Sequence, residues 1–386
     1  AGRQTSEILR PTMNTQETLC LMALTRVPRM SLTHVRSLVD ALGSATAIYE
    51  HRNSLGDVLS GARKPTLEAL ADMHIHLEKA EKELEWDMRN GIQCIGIHDE
   101  AYPQRLKECP DAPVILYYKG QANLNAPHVV SVVGTRHITE YGKDLCATFM
   151  RDLHALCPDA LVVSGLAYGV DIHAHRAALD EGSQTVGVLA HGLDQIYPRM
   201  HRDTAVRMVT QGGLLTEFMS GTNADKRNFV QRNRIVAGIS DVTVVVESAT
   251  KGGSLITAEL ASDYNREVVS FPGRINDKYS EGCNNLIRTS RAALITSAED
   301  MVELMDWETE KERQRCLAHG VQTELFPNLS AEEQQVVQAM QGTDKVHLNH
   351  IAQSTGLPIG KLSSILFGLE MKGLVKMLNG GMYRLA

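Results

Sequence analysis

The chain has 386 residues, enough for two or three domains with a buried core, and no apolar run approaches the length of a membrane span. Its formal net charge of −7 argues against a uniformly basic protein that coats nucleic acid, so any nucleic-acid binding must come from a local basic patch. The seven cysteines are scattered and form no CxxC pair, which argues against a disulfide framework or a zinc ribbon and, with no signal peptide, predicts a cytoplasmic protein.

The first 90 residues are predicted to be helical. Residues 1–12 show no pattern, and with Met13 as a plausible native start we expect them to be a lead outside the fold. Residues 13–91 are predicted to form an all-helical domain similar to SAM or helix-hairpin-helix modules. Pro28 and Arg29 stand where a helix-hairpin-helix module has the glycines that hold a phosphate. A packing role is therefore preferred to DNA binding for this domain.

A long helix is predicted near the end of this domain. Thr66 is expected to cap it, because apolar residues then recur every three or four positions as far as Met88. His74 and His76 are two apart on this helix and point to different faces, so they are not a metal-binding pair.

From Ile92 onward, short apolar runs alternate with amphipathic helical patterns. The predicted strands are the runs at 129–133, 161–164, 185–189, 214–217, 242–246, 268–271 and 292–295. The predicted helices are those at 141–156, 170–180, 200–209, 254–265 and 297–306. Near-continuous β-branched runs separated by helices indicate a parallel sheet covered on both faces. Residues 92–309 are therefore predicted to form an α/β core, a Rossmann-like doubly wound parallel sheet.

Glycine-containing turns follow four of these strands. The turns are Gly134-Thr135-Arg136, the stretch from Ser164-Gly165 to Asp171, the stretch from His191 to Asp194, and Lys251-Gly252-Gly253-Ser254. Doubly wound sheets bind ligands at the carboxyl ends of their strands, and a glycine turn that leads into a helix presents free N–H groups to an anion. A single turn of this kind often serves only as a tight connection. Four at one sheet edge predict a phosphate-binding site.

An aromatic residue and a basic cluster precede the last of these turns. Phe229 is followed by Arg232-Asn233-Arg234. Guanidinium groups bind phosphates through charge-assisted hydrogen bonds, and an aromatic ring can stack on a base. Phe229 can equally be a core residue, and Arg234 can form an internal salt bridge with Asp171 or Glu247. The pattern as a whole predicts a site that binds the backbone of a single nucleic-acid strand.

The motifs of common cofactor sites and catalytic centres are absent. GxGxxG, GxxxxGK[ST], HExxH and GxSxG do not occur, and His173 and His175 are two apart on a helix. Asp171 is expected to orient its turn, and His191 to be exposed at the sheet edge without a role. We therefore predict a binding protein that is not an enzyme and needs no cofactor or metal.

The end of the chain is predicted to form a separate domain, at 327–386, after a polar linker at 310–326. Its elements are a helix opened by the capping box Ser330–Glu333, helices at 346–354 and 359–371, and strands at 374–378 and 382–385 around Asn379-Gly380. Three helices and a hairpin predict a winged helix. Five basic and four acidic residues make it less basic than a helix that reads the major groove usually is, so a protein-contact or regulatory role is preferred to operator binding.

These motifs resemble the DNA-processing protein A family (DprA, also called Smf). The matching segments are VVGTR at 132–136, YG at 141–142, SGLAYGVDIHAHRAAL at 164–179, GLDQIYP at 192–198, TEF at 216–218, NFVQRNRIVAGIS at 228–240, GGSLITAELA at 252–261, REVVSFPG at 266–273 and NNLIR at 284–288. They cover most of residues 92–306 in the family's order. The layout of helical domain, Rossmann-like core and winged helix is similar to that of the longer members.

The resemblance implies a homodimer, formed through the Rossmann-like core, that binds single-stranded DNA without being an enzyme. It also implies that the protein protects incoming strands during natural transformation and loads the RecA recombinase onto them. Carried over by position, the DNA-contacting residues are Gly134, Thr135, Arg136, Ser164, Gly165, Phe229, Arg232, Asn233, Arg234, Lys251, Gly252, Gly253 and Ser254. Ser290-Arg291 departs from the family's Gly-Ala near the last strand, which puts the geometry of that edge in doubt.

Two other functions stay open. The segment from Lys251 to Glu259 resembles the PGGxGTxxE motif of the cytokinin-activating phosphoribohydrolases, with the glutamate in register. Leu255-Ile256 replaces the Gly-Thr that would hold phosphate there, and Lys251 replaces the proline. The other possibility is a sensor of a nucleotide-derived signal, which predicts tight binding of a small phosphate ligand and no affinity for oligonucleotides.

Overall fold

The computed structural model describes residues 15–28, 30–58, 64–311, 313, 329–340, 346–372, 374–378 and 382–385. The predicted lead at 1–12, Arg29, most of the predicted linker and the Asn379-Gly380 turn lie outside the described residues. The chain divides into two compact units, the first ending at Glu310 and the second beginning at Lys311. No helix in the described part of the chain is long and apolar enough to cross a membrane.

Six helices come before the first strand in the described residues. They are α1 (Thr15–Leu24), α2 (Leu32–Leu42), α3 (Ala45–Glu50), α4 (Leu55–Val58), α5 (Lys64–Ala71) and α6 (Leu77–Arg89). The hydroxyl groups of Ser31 and Ser44 accept backbone hydrogen bonds at the starts of α2 and α3, which satisfies donors that have no partner within a helix. Buried residues of α1 belong to the same apolar cluster as the adjoining sheet, so this helical segment packs as part of the first unit.

The prediction of one long helix capped by Thr66 is wrong. Thr66 lies inside α5, and a 3₁₀ turn at Asp72–His76 separates α5 from α6. The three-to-four spacing of apolar residues continues through a 3₁₀ turn, so the pattern alone does not show the interruption. Pro65 marks the true start, because proline suits the first turn of a helix.

The sheet of the first unit contains nine strands within the described residues. They are β1 (Gln93–Gly96), β2 (Ile115–Gly120), β3 (Val129–Val133), β4 (Leu161–Ser164), β5 (Thr185–Val188), β6 (Gly213–Thr216), β7 (Val242–Val245), β8 (Glu267–Ser270) and β9 (Ala293–Leu294). Their spatial order is β1-β2-β6-β5-β4-β3-β7-β8-β9. The strand order reverses at β3, because β4 pairs with one side of it and β7 with the other. Ligands of doubly wound sheets bind at such a switch point.

Helices follow most of these strands. They are α7 (Gln104–Lys107), α8 (Glu140–Leu156), α9 (Val170–Asp180), α10 (Arg202–Gln211), α11 (Lys226–Gly238), α12 (Gly253–Asp263), α13 (Glu281–Arg288) and α14 (Ala298–Leu304). Val129 and Val133 of β3 face one apolar cluster, while Val130 and Val132 face another. Both faces of the sheet are therefore buried, which explains why β3 has no alternation of polar and apolar residues.

The sequence pattern predicts a parallel sheet, but the sheet is not parallel throughout. Among the seven strands β3 to β9, every pair of spatial neighbours is parallel. In contrast, β2 pairs antiparallel with both β6 and β1. Antiparallel neighbours need no crossover helix, so the alternation of strands and helices gives no sign of them. These two strands were missed because the run at 115–120 stands outside that alternation.

The second unit has the elements of a winged helix. They are α15 (Ala331–Met340), β10 (Val346–His347), α16 (Leu348–Thr355), α17 (Ile359–Met371), β11 (Val375–Leu378) and β12 (Met382–Leu385). The predicted capping box is confirmed, since the Glu333 N–H donates to Ser330 Oγ and the Ser330 N–H donates to Glu333 Oε2. Val346 and His347 were predicted to be helical but form a strand that pairs with β12.

Candidate functional site

A cavity of about 410 Å³ lies where the strand order reverses. We call it the strand-end cavity, and it is formed by the segments that follow β3, β4 and β7 together with part of α11. Four of its lining side chains are cationic, namely those of Arg136, Arg232, Lys251 and Lys278. One carboxylate, that of Asp171, also lines it. A chain with a net charge of −7 therefore concentrates positive charge at one edge of its sheet.

The turn after β3 forms one wall. A Cβ on Gly134 would lie 2.3 Å from Val170 Cγ2, so this position accepts only glycine without a shift of α9. The Thr135 N–H donates to the Glu247 carbonyl oxygen at 2.7 Å, which joins the turns that follow β3 and β7. Arg136 is exposed and forms no ion pair within the described residues. Its charge is therefore available to a ligand.

The turn after β4 forms the next wall, and only part of it faces the cavity. Ser164 is fully buried and its hydroxyl donates to the Val132 carbonyl oxygen at 2.6 Å, so its side chain supports the sheet and does not line the cavity. Gly165 lines the cavity. Asp171 Oδ2 accepts hydrogen bonds from the N–H groups of Gly165 and Ala167 at 3.1 and 3.3 Å. The prediction that Asp171 orients this turn is confirmed.

Arg232 fills the space that Gly165 leaves open. A Cβ on Gly165 would lie 2.4 Å from Arg232 Nη1. Arg232 Nη1 donates to the carbonyl oxygens of Gly165 and Val188, at 2.6 and 2.5 Å. Burial lowers the pKa of Arg232 to about 10, against the opposing effect of Asp171, so the guanidinium stays charged at neutral pH. Arg232 thus holds two strand ends together and places a positive charge in the cavity wall.

Burial also raises the pKa of Asp171, while Arg232 acts in the opposite direction. Arg232 and Asp171 therefore interact electrostatically behind the turn. The carboxylate is further satisfied by the two N–H groups of its own turn. It is thus an internal counterion of the cavity and is already occupied by protein donors.

Arg234 does not reach the strand-end cavity. Its side chain is 6% exposed, and Nη2 lies 2.5 Å from Oε2 of Glu217, which is equally buried. The internal salt bridge left open by the sequence is therefore present, although its partner is Glu217 and not Asp171 or Glu247. Successive residues of a helix are about 100° apart, so Arg232 and Arg234 point to different sides of α11. Asn233, between them in sequence, lines the cavity.

The turn after β7 leads directly into α12, with Gly252 as its N-cap residue. Lys251, Gly252, Gly253 and Ser254 all line the cavity. The N–H groups in the first turn of a helix lack partners within the helix, and the partial positive charge of the helix dipole adds to them. A Cβ on Gly253 would meet no atom within 4 Å. The helix start is therefore open to an anion.

Phe229 lies beside the cavity among cations and another aromatic ring. Arg136 Cζ is 5.2 Å and Arg232 Cζ is 5.8 Å from the ring centroid, both within the range of a cation–π contact. The Tyr197 ring centroid is 5.9 Å from that of Phe229. Phe229 is partly exposed, so it is not a core residue.

His191 was expected to be exposed, and this expectation is wrong. It is 1% exposed, and its Nε2 accepts a hydrogen bond from the Tyr197 N–H. Its Nδ1 lies 2.9 Å from the Gly192 carbonyl oxygen. His191 therefore fixes the segment that carries Tyr197.

Lys278 and Tyr279 line the cavity and were not identified from the sequence. They belong to the segment that follows β8, whose carboxyl end lies at the same sheet edge as the glycine turns. The segment after β8 also contains a glycine next to a basic residue, Gly273-Arg274, but Lys278 and Tyr279 lie several residues beyond it. The pattern of glycine turns directly at the strand ends therefore did not identify them. Among the described residues no cluster of His, Cys, Asp or Glu that could hold a metal is present, and the described cysteines form no disulfide.

The fold and the site define a class of protein. It is an α/β doubly wound core with a cationic anion-binding cavity at the switch point, followed by a winged-helix unit. The family model for DNA recombination-mediator protein A matches residues 93–306, and that for the DprA winged helix domain matches residues 323–381. The chain belongs to the DprA/Smf family of DNA processing proteins.

Individual relatives agree with this assignment. A putative DNA processing protein DprA from Mycobacterium tuberculosis is 33% identical over 376 residues, which cover 92% of each chain. The X-ray structure of DNA processing protein A from Streptococcus pneumoniae superposes with a TM-score of 0.65 at 30% identity, over 77% of this chain and 99% of that one. The structure of DNA processing protein A from Helicobacter pylori, which concerns its single-stranded DNA binding mode, superposes with a TM-score of 0.50 at 31% identity. The match covers 55% of this chain and 100% of that one.

Proposed function

We propose that this protein binds single-stranded DNA in the strand-end cavity, through consecutive phosphates. The observation that carries the proposal is the convergence of the helix start at Gly253 with the exposed side chains of Arg136, Lys251 and Lys278. Backbone N–H groups and cations of this kind hold phosphates without reading sequence. Gly134, Thr135, Gly165, Gly252 and Ser254 shape the site in this account.

A preference for single strands over duplex follows from Phe229. Its ring is partly exposed beside the cavity, where a base attached to a bound phosphate can stack on it. A duplex hides the faces of its bases, so it can use the phosphate contacts but not this ring. The Helicobacter pylori relative, whose structure concerns its single-stranded DNA binding mode, supports the binding of single strands.

The larger role that we propose is recombination mediation. The family is described as a recombination mediator, which supports loading of the RecA recombinase onto the bound strand. We further propose that the protein is not an enzyme, that it protects incoming strands in natural transformation, and that it works in the cytoplasm as a homodimer formed through the sheet core. Ser290, at the turn before the edge strand β9, has a φ of 55°. Glycine adopts this conformation more readily, so serine there supports a local difference at that edge.

The winged helix is proposed to contact protein and not to read DNA. On α17 the exposed side chains of Phe367 and Met371 are four residues apart and so share one face. A helix that reads the major groove would present polar and basic side chains there. Deletion of residues 327–386 is therefore expected to leave strand binding mostly intact.

The phosphoribohydrolase alternative depends on Glu259 as a catalytic carboxylate. Glu259 is not among the residues that line the strand-end cavity, and its Oε1 lies 3.2 Å from Arg291 Nη2. That position favours a structural role on the surface of α12. Release of free base from a nucleoside monophosphate would support the enzyme instead.

The experiment that tests the proposal is a titration of a fluorescent dT oligomer and of its duplex at two salt concentrations. Single strands should bind more tightly than duplex. If the three exposed cations each neutralise one phosphate, single-strand affinity should fall about 20-fold between about 50 and 200 mM salt, since log K falls with a slope of about −0.7 per phosphate. Tight binding of a small nucleotide with no affinity for the oligomer would support the sensor alternative.

A further inference from the structure

A second cavity, of about 870 Å³, lies beside the strand-end cavity. Its walls are the start of α8 at Thr139–Tyr141 and the segment 272–280, which connects β8 to α13. Lys278 and Tyr279 line both cavities and so form the boundary between them. A strand that fills the first cavity therefore has a continuous route past these two residues into the second.

Tyr279 is held in a fixed place on this boundary. Its carbonyl oxygen accepts a hydrogen bond from the Ser248 N–H at 2.6 Å, which ties the segment 272–280 to the connection between β7 and α12. Its ring stacks with that of His137, with centroids 6.1 Å apart and an interplanar angle of 26°. The residue is partly exposed. A preformed, partly exposed ring can stack on a base at little cost in conformational entropy.

Cations stand close to this ring. Lys278 Nζ is 5.5 Å from the Tyr279 ring centroid. Arg274 lines the second cavity and is exposed, and within the described part of the chain neither cation forms an ion pair. A base on Tyr279 would thus have a positive charge available for its flanking phosphate.

Most of the acidic groups of the second cavity are already occupied. Glu140 is paired with Lys143 at 2.6 Å. Glu247 accepts hydrogen bonds from the Thr139 N–H and hydroxyl groups at 2.9 and 2.6 Å. Asp277 is exposed and adds one negative charge to the rim. The second cavity is therefore less cationic than the first, which suits a base with one flanking phosphate better than a row of phosphates.

We infer that the second cavity is an additional nucleotide subsite, in which a base stacks on Tyr279 as the strand leaves the strand-end cavity past Lys278. This inference rests on the proposed function, because it extends the same strand by one step. It assigns a direction to the strand, toward the segment 272–280 and away from Tyr197.

The test compares wild type with Tyr279→Ala and Tyr279→Phe by fluorescence anisotropy. The probes are dT oligomers of about four and about sixteen nucleotides, the span of site sizes known for single-strand-binding folds. Tyr279→Ala should weaken binding of the long oligomer about 5- to 150-fold, as expected for a lost base–aromatic stack, and weaken binding of the short oligomer clearly less, because Tyr279 lies only at the edge of the first cavity. Tyr279→Phe should bind both as wild type does, because the ring is kept.

Tyr197→Ala is the matched control, since Tyr197 is an exposed tyrosine that contacts Phe229 and does not line the second cavity. A length-dependent loss in Tyr197→Ala with none in Tyr279→Ala would overturn the inference, and so would wild-type affinity of Tyr279→Ala for the long oligomer. Equal losses on both oligomers would also overturn it, because the ring would then belong to the first cavity. If wild type binds neither oligomer, the proposed function fails as well.

Discussion

Two regions on opposite sides of α11 use the same kind of side chain for different purposes. At the strand-end cavity, Arg136 and Lys251 are exposed and have no ion pair within the described residues. On the other side, Arg234 is 6% exposed and bound to Glu217. The first region keeps positive charge available to a ligand, whereas the second uses positive charge to neutralise a buried carboxylate.

Arg232 lies between these two cases. It is buried like Arg234, but its hydrogen-bond partners are the carbonyl oxygens of Gly165 and Val188, and Asp171 acts on it only electrostatically. Neighbouring arginines in a sequence therefore need not share one function. The solvent exposure and the partner of each guanidinium decide whether it serves stability or binding.

The largest effect is expected for Arg234→Met. Removing one partner of a buried ion pair leaves the other uncompensated, so the free energy of unfolding should fall by about 3–5 kcal/mol. The measurement is chemical denaturation at neutral pH. Protein that remains folded should bind a dT oligomer with wild-type affinity.

The double variant Arg234→Met/Glu217→Leu is the control, since it removes both charges and should regain most of the lost stability. A loss of DNA affinity in Arg234→Met without any loss of stability would place Arg234 in the binding site. The two sides of α11 would then not differ in function.

Gly165→Ala tests whether Arg232 depends on the space left by the missing side chain of Gly165. The new Cβ would overlap the guanidinium, at 2.4 Å from Nη1, so the free energy of unfolding should fall by about 1–3 kcal/mol and DNA binding should weaken. The matched control is Gly253→Ala, whose Cβ meets no atom within 4 Å. It should keep wild-type thermal stability. An equally stable Gly165→Ala would show that Arg232 does not depend on this contact.

Arg136→Ala tests the role of an exposed arginine at the strand-end cavity. Affinity for single strands of any sequence should fall by about 1–3 kcal/mol, because one charge-assisted contact is lost. Stability should not change, since Arg136 is exposed. Arg151→Ala, which removes an exposed arginine of α8 that lines neither cavity, should bind as wild type does. Equal affinities of the two variants would remove Arg136 from the site.

A pH-dependent effect is expected at Asp87, a buried acid for which the described residues provide no ion-pair partner. Burial raises the pKa of Asp87 from 3.8 to about 7, and its carboxylate accepts a hydrogen bond from Cys94 Sγ at 3.2 Å. Between these two pKa values the folded state binds more protons than the unfolded state, so the free energy of unfolding contributed by Asp87 falls as pH rises from about 4 to 7. Above pH 7 this loss is constant.

Asp87→Asn should therefore be more stable than wild type at pH 8 and nearly equal to it at pH 4. Denaturation curves across this range measure the difference. Asp72→Asn, at an exposed position, should show no such trend. A constant difference between Asp87→Asn and wild type at all pH values would contradict the raised pKa.

Local chemistry made much of the fold predictable from sequence. The bounds of β4, α9 and α17 were predicted to the residue, because β-branched runs, glycine turns and helix ends are local signals. The strand-end rule brought together the turns at Gly134, Gly165 and Gly252. The long-range part was harder: the antiparallel strands β1 and β2 and the 3₁₀ turn before α6 leave no periodic mark.

The site was predicted in outline, and its individual side chains only in part. Arg232, Asn233 and Arg234 were predicted from sequence as one DNA-binding cluster, although the rotation of about 100° per residue in a helix separates Arg232 from Arg234. The sequence did not indicate which one faces the cavity, because that depends on the position of Glu217, far away in sequence. Tyr279 was missed for the same reason, since its place at the cavity comes from the pairing of β8 with β7.

A crystal structure of the protein with a short dT oligomer would test most directly whether single-stranded DNA binds in the strand-end cavity. If the strand-end cavity binds the strand, phosphate oxygens should lie within hydrogen-bonding distance of the N–H groups of Gly253 and Ser254 and of the Arg136 guanidinium, with Arg234 still bound to Glu217. An oligomer bound elsewhere, with the strand-end cavity free of DNA, would contradict this prediction.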